Sequence, residues 1–398
     1  MEGSGATLAE RARTGSIRLA VTHRADPDAA VAELADGLST DDPSLLLFFC
    51  SATSDLRRLG PALRQRWPGA GIAGCTTTRE ITPSGYAANS IVGISLAEPD
   101  FFAVTRRIDD LRTFGIERGQ KLVADALDEL SDRAQKARRP VNTFAMLLID
   151  GVSCCEETVV SSLQSVLGHI PLLGGSAGDD LAFERSWVLH GDGFHERSAV
   201  LVLVATHHPF EVFKTEHFVG SETRLVVTAA APDLRIVHAI NGRPAAAEYA
   251  RLTGLEPHEL TPAVFAANPL VVRSGGGNYV RSIQQVNPDG SLTFMCAIDE
   301  GLVLRMARNI GIIEDLERRL SELRQRLGSL QLVIGCECIL RYLELQQKRL
   351  TERSGRILSE NNVVGFCTYG EQFKSMHINQ TFTGVAIARF DPDDDRAV

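Results

Sequence analysis

The sequence predicts an α/β protein of two domains, mixed sheets flanked by helices, built from one strand-helix-strand-turn-strand unit used three times. Three observations carry that prediction. An apolar strand run recurs as LLLFFC at Leu45, FAMLLI at Phe144 and LQLVIG at Leu330. Each run is followed by a helical stretch and a second strand that ends in a turn of small residues, GCTTT, GGSAG or GFCTYGE. Each copy then closes on another apolar strand, SIVGISL, SAVLVLV or TGVAIAR. Repetition of a whole supersecondary unit places three equivalent turns where they can share a site.

In the first unit the strand Leu45 to Cys50 leads into Ser51-Ala52-Thr53-Ser54-Asp55, a cluster of N-cap residues for a helix from Leu56 to Trp67 that Pro68-Gly69 stops. The strand Gly71 to Cys75, a turn-rich EITPSGYAAN and the strand Ser90 to Leu96 complete it. A helix from Ile116 to Ala137, with Leu122, Val123, Ala126, Leu127 and Leu130 at helical spacing, bridges to the second unit. There a helix from Glu156 to Leu167 precedes PLLGGSAGDD and a hairpin turning at Gly191 to Gly193. These two units make a first domain over residues 15–208.

The second domain, 209–398, opens with a change of texture. RLVVTAA, DLRIVHAING and PAAAEYARLTGL read as strand, strand and helix, and YVRSIQQVNPDGSLTFMCAI as a hairpin, in an inserted region over 211–300. An amphipathic helix follows within about 303–327, with Leu316, Leu320, Leu323 and Leu327 on one face; it packs on the third unit's sheet or serves a partner or a homodimer. The third unit occupies 330–390.

Composition narrows the function. A 398-residue chain with 44% hydrophobic and 23% charged residues buries large cores. A net charge of −9 without a Lys/Arg block argues against nucleic acid. The opening MEGSGATLAERARTGS lacks an apolar core of the signal type, and no run reaches membrane-spanning length, so the expected compartment is the cytoplasm, with no membrane partner. In that reducing setting the eight cysteines, set in apolar runs, read as reduced core residues.

Among candidate sites, GGSAGDD suggests a phosphate cradle but lacks the Lys-Ser/Thr pair and the following helix. The run from Arg273 through Gly275-Gly276-Gly277 to Asn278 reads as a flexible turn or a lid. Cys154-Cys155 and Cys336-Glu337-Cys338 occupy matching places after first strands, without the second pair or spaced histidine that a zinc site needs. No nucleophile has an adjacent base and no hydrolase or kinase motif occurs, so no enzyme is expected. The densest polar cluster is at the end, where Tyr369, Glu371, His377, Asn379, Gln380 and Thr381 fall within about a dozen residues; donors and acceptors so packed must pair with one another or with a ligand. His377 is the leading candidate ligand to a metal, and His217 in FKTEHF the second. The remaining histidines, His207 and His208 among them, carry no assignment.

The succession GIAGCTTTREI, LLGGSAGDD, RLVVTAA, INGRPAAAEY and VVGFCTYGEQF…HINQTFTGVAI resembles the FIST family of bacterial sensory proteins, with its FIST-N and FIST-C domains, over about Ser44 to Arg389. The resemblance implies a ligand sensor in signal transduction. One branch, the nitric-oxide-sensing NosP proteins, binds haem and regulates a histidine kinase, and GCECILRYLELQQ is similar to that branch; other members are proposed to sense amino acids. The resemblance further implies haem b held without covalent attachment, since there is no CxxCH, at a site on Tyr369, Glu371, His377 and Asn379; the family pattern does not assign the axial ligand, and the residues themselves make His377, or else His217, the expected ligand to the iron. Nitric oxide would be the gas and a histidine kinase the partner. The alternative is a haem-free receptor for an amino acid or carboxylate, lined by Arg273, Tyr369, Glu371 and Asn379.

Overall fold

The computed structural model describes residues 15–390 except 41, 138, 275 and 276. The repeat is more complete than the sequence pattern suggests, because each unit also carries a leading strand and helix. Unit one runs β1 (Ile17–Thr22), α1 (Pro27–Leu38), β2 (Pro43–Ser51), α2 (Leu56–Arg66), β3 (Gly71–Thr77), β4 (Arg79–Thr82), β5 (Gly85–Ala87) and β6 (Ile91–Ala97). Unit two runs β7 (Phe101–Ile108), α3 (Ile116–Ala134), β8 (Asn142–Ile149), α4 (Glu156–Leu167), β9 (Leu172–Ser176), β10 (Val188–His190), β11 (Gly193–His195) and β12 (Ala199–Thr206).

Unit three begins at β13 (Phe210–Lys214) and is interrupted by an insertion. The insertion holds β14 (Phe218–Ala231), β15 (Ile236–Ile240), β16 (Arg243–Pro244), α5 (Ala245–Thr253), α6 (Pro262–Ala267), β17 (Leu270–Ser274), β18 (Gly277–Arg281), β19 (Ile283–Val286), β20 (Leu292–Phe294) and β21 (Val303–Asn309), whose strands form a separate sheet. The unit then resumes with α7 (Ile312–Leu327), β22 (Leu330–Cys338), α8 (Ile339–Gln347), α9 (Thr351–Glu360), β23 (Val363–Thr368), β24 (Glu371–Phe373), β25 (Met376–Ile378) and β26 (Phe382–Ala388). Two boundaries shift accordingly. The insertion spans 218–309, and the stretch expected as helix from about 303 is strand until Asn309, where Gly311 at φ +107 redirects the chain into α7.

The three unit sheets are exchanged at their edges. In each, the leading strand, the closing strand and the two central strands come from one unit (β1-β6-β2-β3, β7-β12-β8-β9, β13-β26-β22-β23), with β2 and β3, β8 and β9, and β22 and β23 parallel. The fifth and sixth strands are another unit's hairpin: β10-β11 joins sheet one, β24-β25 joins sheet two and β4-β5 joins sheet three. The units are therefore locked in a cycle, each completing its neighbour.

Alternation along the central strands explains their unbroken apolar runs. Leu45, Leu47 and Phe49, Phe144, Met146 and Leu148, and Leu332, Ile334 and Cys336 point into one core shared by the three sheets. The alternate residues, such as Leu46, Leu147 and Val333, meet the helices outside. A strand buried on both faces has no polar positions to alternate with. Equivalent glycines let the paired strands approach: a Cβ on Gly74, Gly174 or Gly365 would stand 2.0, 1.9 or 1.8 Å from the carbonyl oxygen of Phe48, Leu147 or Gly335. Leu316, Leu320 and Leu323 of α7 pack with Val333, Phe382 and Ala386, so the apolar stripe is already covered within the chain. Among the described residues no helix is long and apolar enough to cross a membrane.

Candidate functional site

The hairpin exchange brings the three turns together, hydrogen-bonded around the cycle. Gly178 N donates to Thr76 O (3.0 Å), Thr78 N to Cys367 O (3.2 Å), Ser176 N to Gly370 O (2.9 Å) and Tyr369 N to Ser176 O (3.3 Å). The Ser176 and Gly178 amides of the GGSAG turn are consumed in this way and the Ala177 amide by Ile149 O (2.7 Å), which leaves no anion cradle there.

A buried carboxyl sits beneath each turn. Glu80 accepts from the Ser90 amide (3.2 Å) and hydroxyl (2.7 Å); Glu371 accepts in the same way from Thr381, amide 3.2 Å and hydroxyl 2.5 Å. Unit two has Val188 in that register, and Asp150 at the end of β8 takes over, accepting from Ser186 Oγ (2.6 Å) and the Arg197 amide (2.6 Å). Burial pushes all three carboxyls above the ordinary range, Glu371 farthest. Asn89, Arg197 and Gln380, one before the serine or threonine in each copy, share a left-handed backbone with φ between 50 and 52°.

The third copy departs from this pattern in one respect. Six buried side-chain atoms have no hydrogen-bond partner in the protein: Glu371 Oε1, Gln372 Oε1, both amide atoms of Asn379, Gln380 Oε1 and Thr383 Oγ1. Among the described residues, no such atom occurs at 74–90 or 174–198 in the other copies. Neighbouring Arg281 Nε and Ser282 Oγ, on the insertion, are orphaned too. Each unpaired buried polar group costs about 1–3 kcal/mol. Six of them would consume much of the roughly 5–15 kcal/mol by which a domain is stable. Atoms left in this way are completed by water or by a ligand.

The insertion covers the cluster. Gln380 Nε2 donates to Ala266 O of α6 (2.9 Å), Arg281 Nη1 reaches the His377 carbonyl (3.4 Å), and His377 Nε2 lies 3.3 Å from Met295 O. Arg235 anchors the same face, bonding Met295 O (2.9 Å), Glu156 (2.6 Å) and Glu157 (2.8 Å) of α4.

The residues singled out in the sequence separate into three groups. Glu371, His377 and Asn379 come together in the β24–β25 hairpin and the turn after it. Tyr369 faces the other way: it stacks on Phe183 with centroids 4.3 Å apart, donates to Asp179 and accepts from the Leu181 amide (2.9 Å). His217 and Arg273 are elsewhere. His217 lies in a buried network, its Nε2 on Glu344 (3.0 Å) and its Nδ1 on Arg341 (3.1 Å), which in turn holds Glu337 (2.9 Å). Arg273 is exposed on the β17–β18 hairpin, and Gly275 and Gly276 of the expected lid lie outside the described residues. All eight cysteines are free and all but Cys154 buried; burial pushes the Cys154 and Cys155 thiols up, away from nucleophilic character.

This arrangement does not fit a haem. The His377 ring has a partner at each nitrogen, Gln372 Nε2 at 3.3 Å from Nδ1 and Met295 O at 3.3 Å from Nε2, and burial keeps it neutral against the pull of Glu157 and Glu156. It is also pressed on Gly370, where a Cβ would stand 2.3 Å from His377 Cε1. His217 is closed off by Glu344 and Arg341. The cavity beside Tyr369 measures ≈ 160 Å³ and is lined by neither His377 nor His217. A groove of ≈ 810 Å³ over Asp150, Arg112 and Arg197 is lined by neither histidine nor tyrosine.

Sequence reasoning passed over Gln372, Arg281 and Ser282. Gln372 lies inside the polar run and was distinguishable only by burial; Arg281 and Ser282 are in YVRSIQQ, where nothing local separates them from Arg273 eight residues earlier. Comparison with known proteins finds two family models along the chain. One, described as the FIST N domain, matches residues 44–243, and the other, the FIST C domain, matches 245–374. No curated protein matches the chain.

Proposed function

The chain belongs to the FIST family, whose domains are sensory modules of signal transduction, and on that premise we propose that it is a haem-free receptor for an amino acid or small carboxylate. The observation that carries this reading is the chemistry of the orphaned atoms. Gln372 Oε1, Asn379 Oδ1 and Gln380 Oε1 are acceptor oxygens suited to an ammonium group, while Arg281 Nε, Asn379 Nδ2 and Glu371 Oε1, when the carboxyl is neutral, are donors suited to a carboxylate. Burial pushes the Glu371 carboxyl well above the ordinary range and so disfavours its charged form, which lessens the negative charge that the ligand would have to neutralise.

The receptor does no bond chemistry in this reading; it signals by state. A ligand on Asn379 and Gln380 would compete with the bonds that Gln380 and His377 make to Ala266 and Met295, and so change how the insertion seats on the hairpin. Such a ligand transmits a signal only through different affinity for the seated and unseated states. The partner in this reading is a histidine kinase, and the receptor acts in the cytoplasm.

The test is a thermal-shift screen of the purified chain against amino acids and short carboxylates, with the absorption spectrum of protein expressed with haem precursor recorded alongside. A saturable rise in Tm with at least one compound, lost in Asn379→Ala, is the expected result. No shift from any compound, together with a stoichiometric Soret band that moves with nitric oxide, would replace this reading with the haem one.

A further inference from the structure

Away from the polar cluster, at the opposite end of the sheets, two links between units meet. Asp100 lies between β6 and β7, and His207-His208 between β12 and β13. Their ligand atoms, one carboxylate oxygen and two imidazole nitrogens, all lie within 4.8 Å of one another. His207 Nε2 is 3.6 Å from Asp100 Oδ1 and His208 Nε2 is 3.7 Å from Asp100 Oδ2. Those separations are too long for hydrogen bonds. They are close to the roughly 3.3 Å between ligands that tetrahedral bonds of about 2.0–2.1 Å to one zinc ion require.

His208 is prepared for such a role. It is 6% exposed, and its buried Nε2 has no hydrogen-bond partner. Its Nδ1 lies 2.9 Å from Ala388 O and 3.2 Å from the Phe390 amide. The Ala388 carbonyl can only accept and the Phe390 amide only donates, so the two contacts call for opposite tautomers; with the proton on Nδ1, toward the shorter Ala388 contact, the Nε2 lone pair faces Asp100. A backbone carbonyl on the far nitrogen is the usual orienting partner of a metal-bound histidine. The ring is further fixed between Phe101 (5.1 Å between centroids) and His207 (4.9 Å). Ser16 Oγ donates to Asp100 Oδ2 (2.5 Å), and the Thr206 hydroxyl donates to the Asp100 carbonyl (2.8 Å). Asp100 and His207 keep some solvent contact, 32% and 15% at the side chain, which leaves an entry path and room for a water as fourth ligand. Arg139, whose charge reaches His207, packs over the Phe390 ring at 4.1 Å.

We propose that Asp100, His207 and His208 form a divalent transition-metal site that clamps the links between the three units. Two imidazoles and one carboxylate suit Zn²⁺ and its first-row neighbours and exclude Ca²⁺ and Mg²⁺, which want all-oxygen shells. One ion there would join the start of β7 to the start of β13 and, through Ala388 and Phe390, to the end of the last strand.

The experiment uses the full chain in a Cys154→Ser background, which removes the exposed thiol, stripped with EDTA and titrated with Zn²⁺ and Co²⁺. Calorimetry should give one equivalent of Zn²⁺, a raised Tm, and visible ligand-field bands with Co²⁺. His207→Ala and Asp100→Asn, both partly exposed, should weaken Zn²⁺ at least tenfold and remove the Tm rise, while circular dichroism shows them folded. If His207→Ala does not fold, Asp100→Asn decides. Absence of stoichiometric binding, or binding unchanged by these substitutions, would overturn the proposal.

Discussion

Replacing Asn379 by Ala separates a ligand-facing amide from an ordinary buried one by the sign of its effect. Asn379 is fully buried and neither amide atom has a partner. In the ligand-free protein, deletion removes two orphaned groups, each costing about 1–3 kcal/mol, and opens a small void that costs back about 1–2 kcal/mol at roughly 24 cal/mol per Å³. The net change is near zero or stabilising by a few kcal/mol. A buried Asn with satisfied bonds behaves oppositely, because its deletion strands the partners and destabilises by about 1–3 kcal/mol. Urea unfolding of both proteins without ligand, followed by thermal shift with the best compound of the screen, reads both effects. Destabilisation of Asn379→Ala by about 2 kcal/mol or more, with an unchanged ligand response, would refute the reasoning.

Glu371→Gln tests the protonation of the third copy's carboxyl. Its folded pKa is raised, so its contribution to stability is full below the ordinary carboxyl pKa of about 4.3 and is lost as pH rises through the folded value; the Gln variant should lose less stability than wild type between pH 5 and pH 9, about the range urea unfolding can cover. Gly370→Ala puts a Cβ into the His377 ring and should cost about 1–3 kcal/mol by overpacking and impair ligand binding, whereas Gly115→Ala, with open space at the same atom, should do neither in the same assays. Arg341→Met strands Glu337 in a fully buried position and should cost about 3–5 kcal/mol in urea unfolding.

Much of the fold is legible because burial on both faces writes a strand as an unbroken apolar run, as in LLLFFC and FAMLLI. The helices Leu56–Arg66 and Glu156–Leu167 start at the residues the sequence suggests, the first capped by Asp55, whose side chain accepts from the Arg58 amide. The leading elements Ile17–Thr22 and Pro27–Leu38 escape notice: β1 is mostly half-buried, and Arg18 interrupts its run. The exchange of hairpins leaves no local trace, since strands of three or four residues carry too little pattern to say which sheet edge they join. That exchange is what brings the three turns into contact.

For the site, the concentration of polar residues after Thr368 coincides with the copy that holds the unpaired atoms: unit one keeps Glu80 and Asn89 at two of these positions, but the Gln372–His377 pair is Ile81–Tyr86 in unit one and Leu189–Phe194 in unit two. The roles within it are set by tertiary packing. Tyr369 precedes Gly370 and Glu371 yet turns toward Asp179, and His377 is closed between Gln372 and Met295, contacts 5 and 82 residues away in the chain. Arg281 rather than Arg273 reaches the cluster, because the β17–β18 hairpin sends one to the surface and the other to the His377 carbonyl.

The central claim is that the third unit's unpaired atoms are completed by a small ligand, and a high-resolution crystal structure of the chain with the best compound of the screen tests it most directly. The account predicts ordered density bridging the Asn379 amide and the Gln372 and Gln380 oxygens, with the Arg281 guanidinium on a carboxylate. Side chains rotated to satisfy one another, with no density between them, would contradict it.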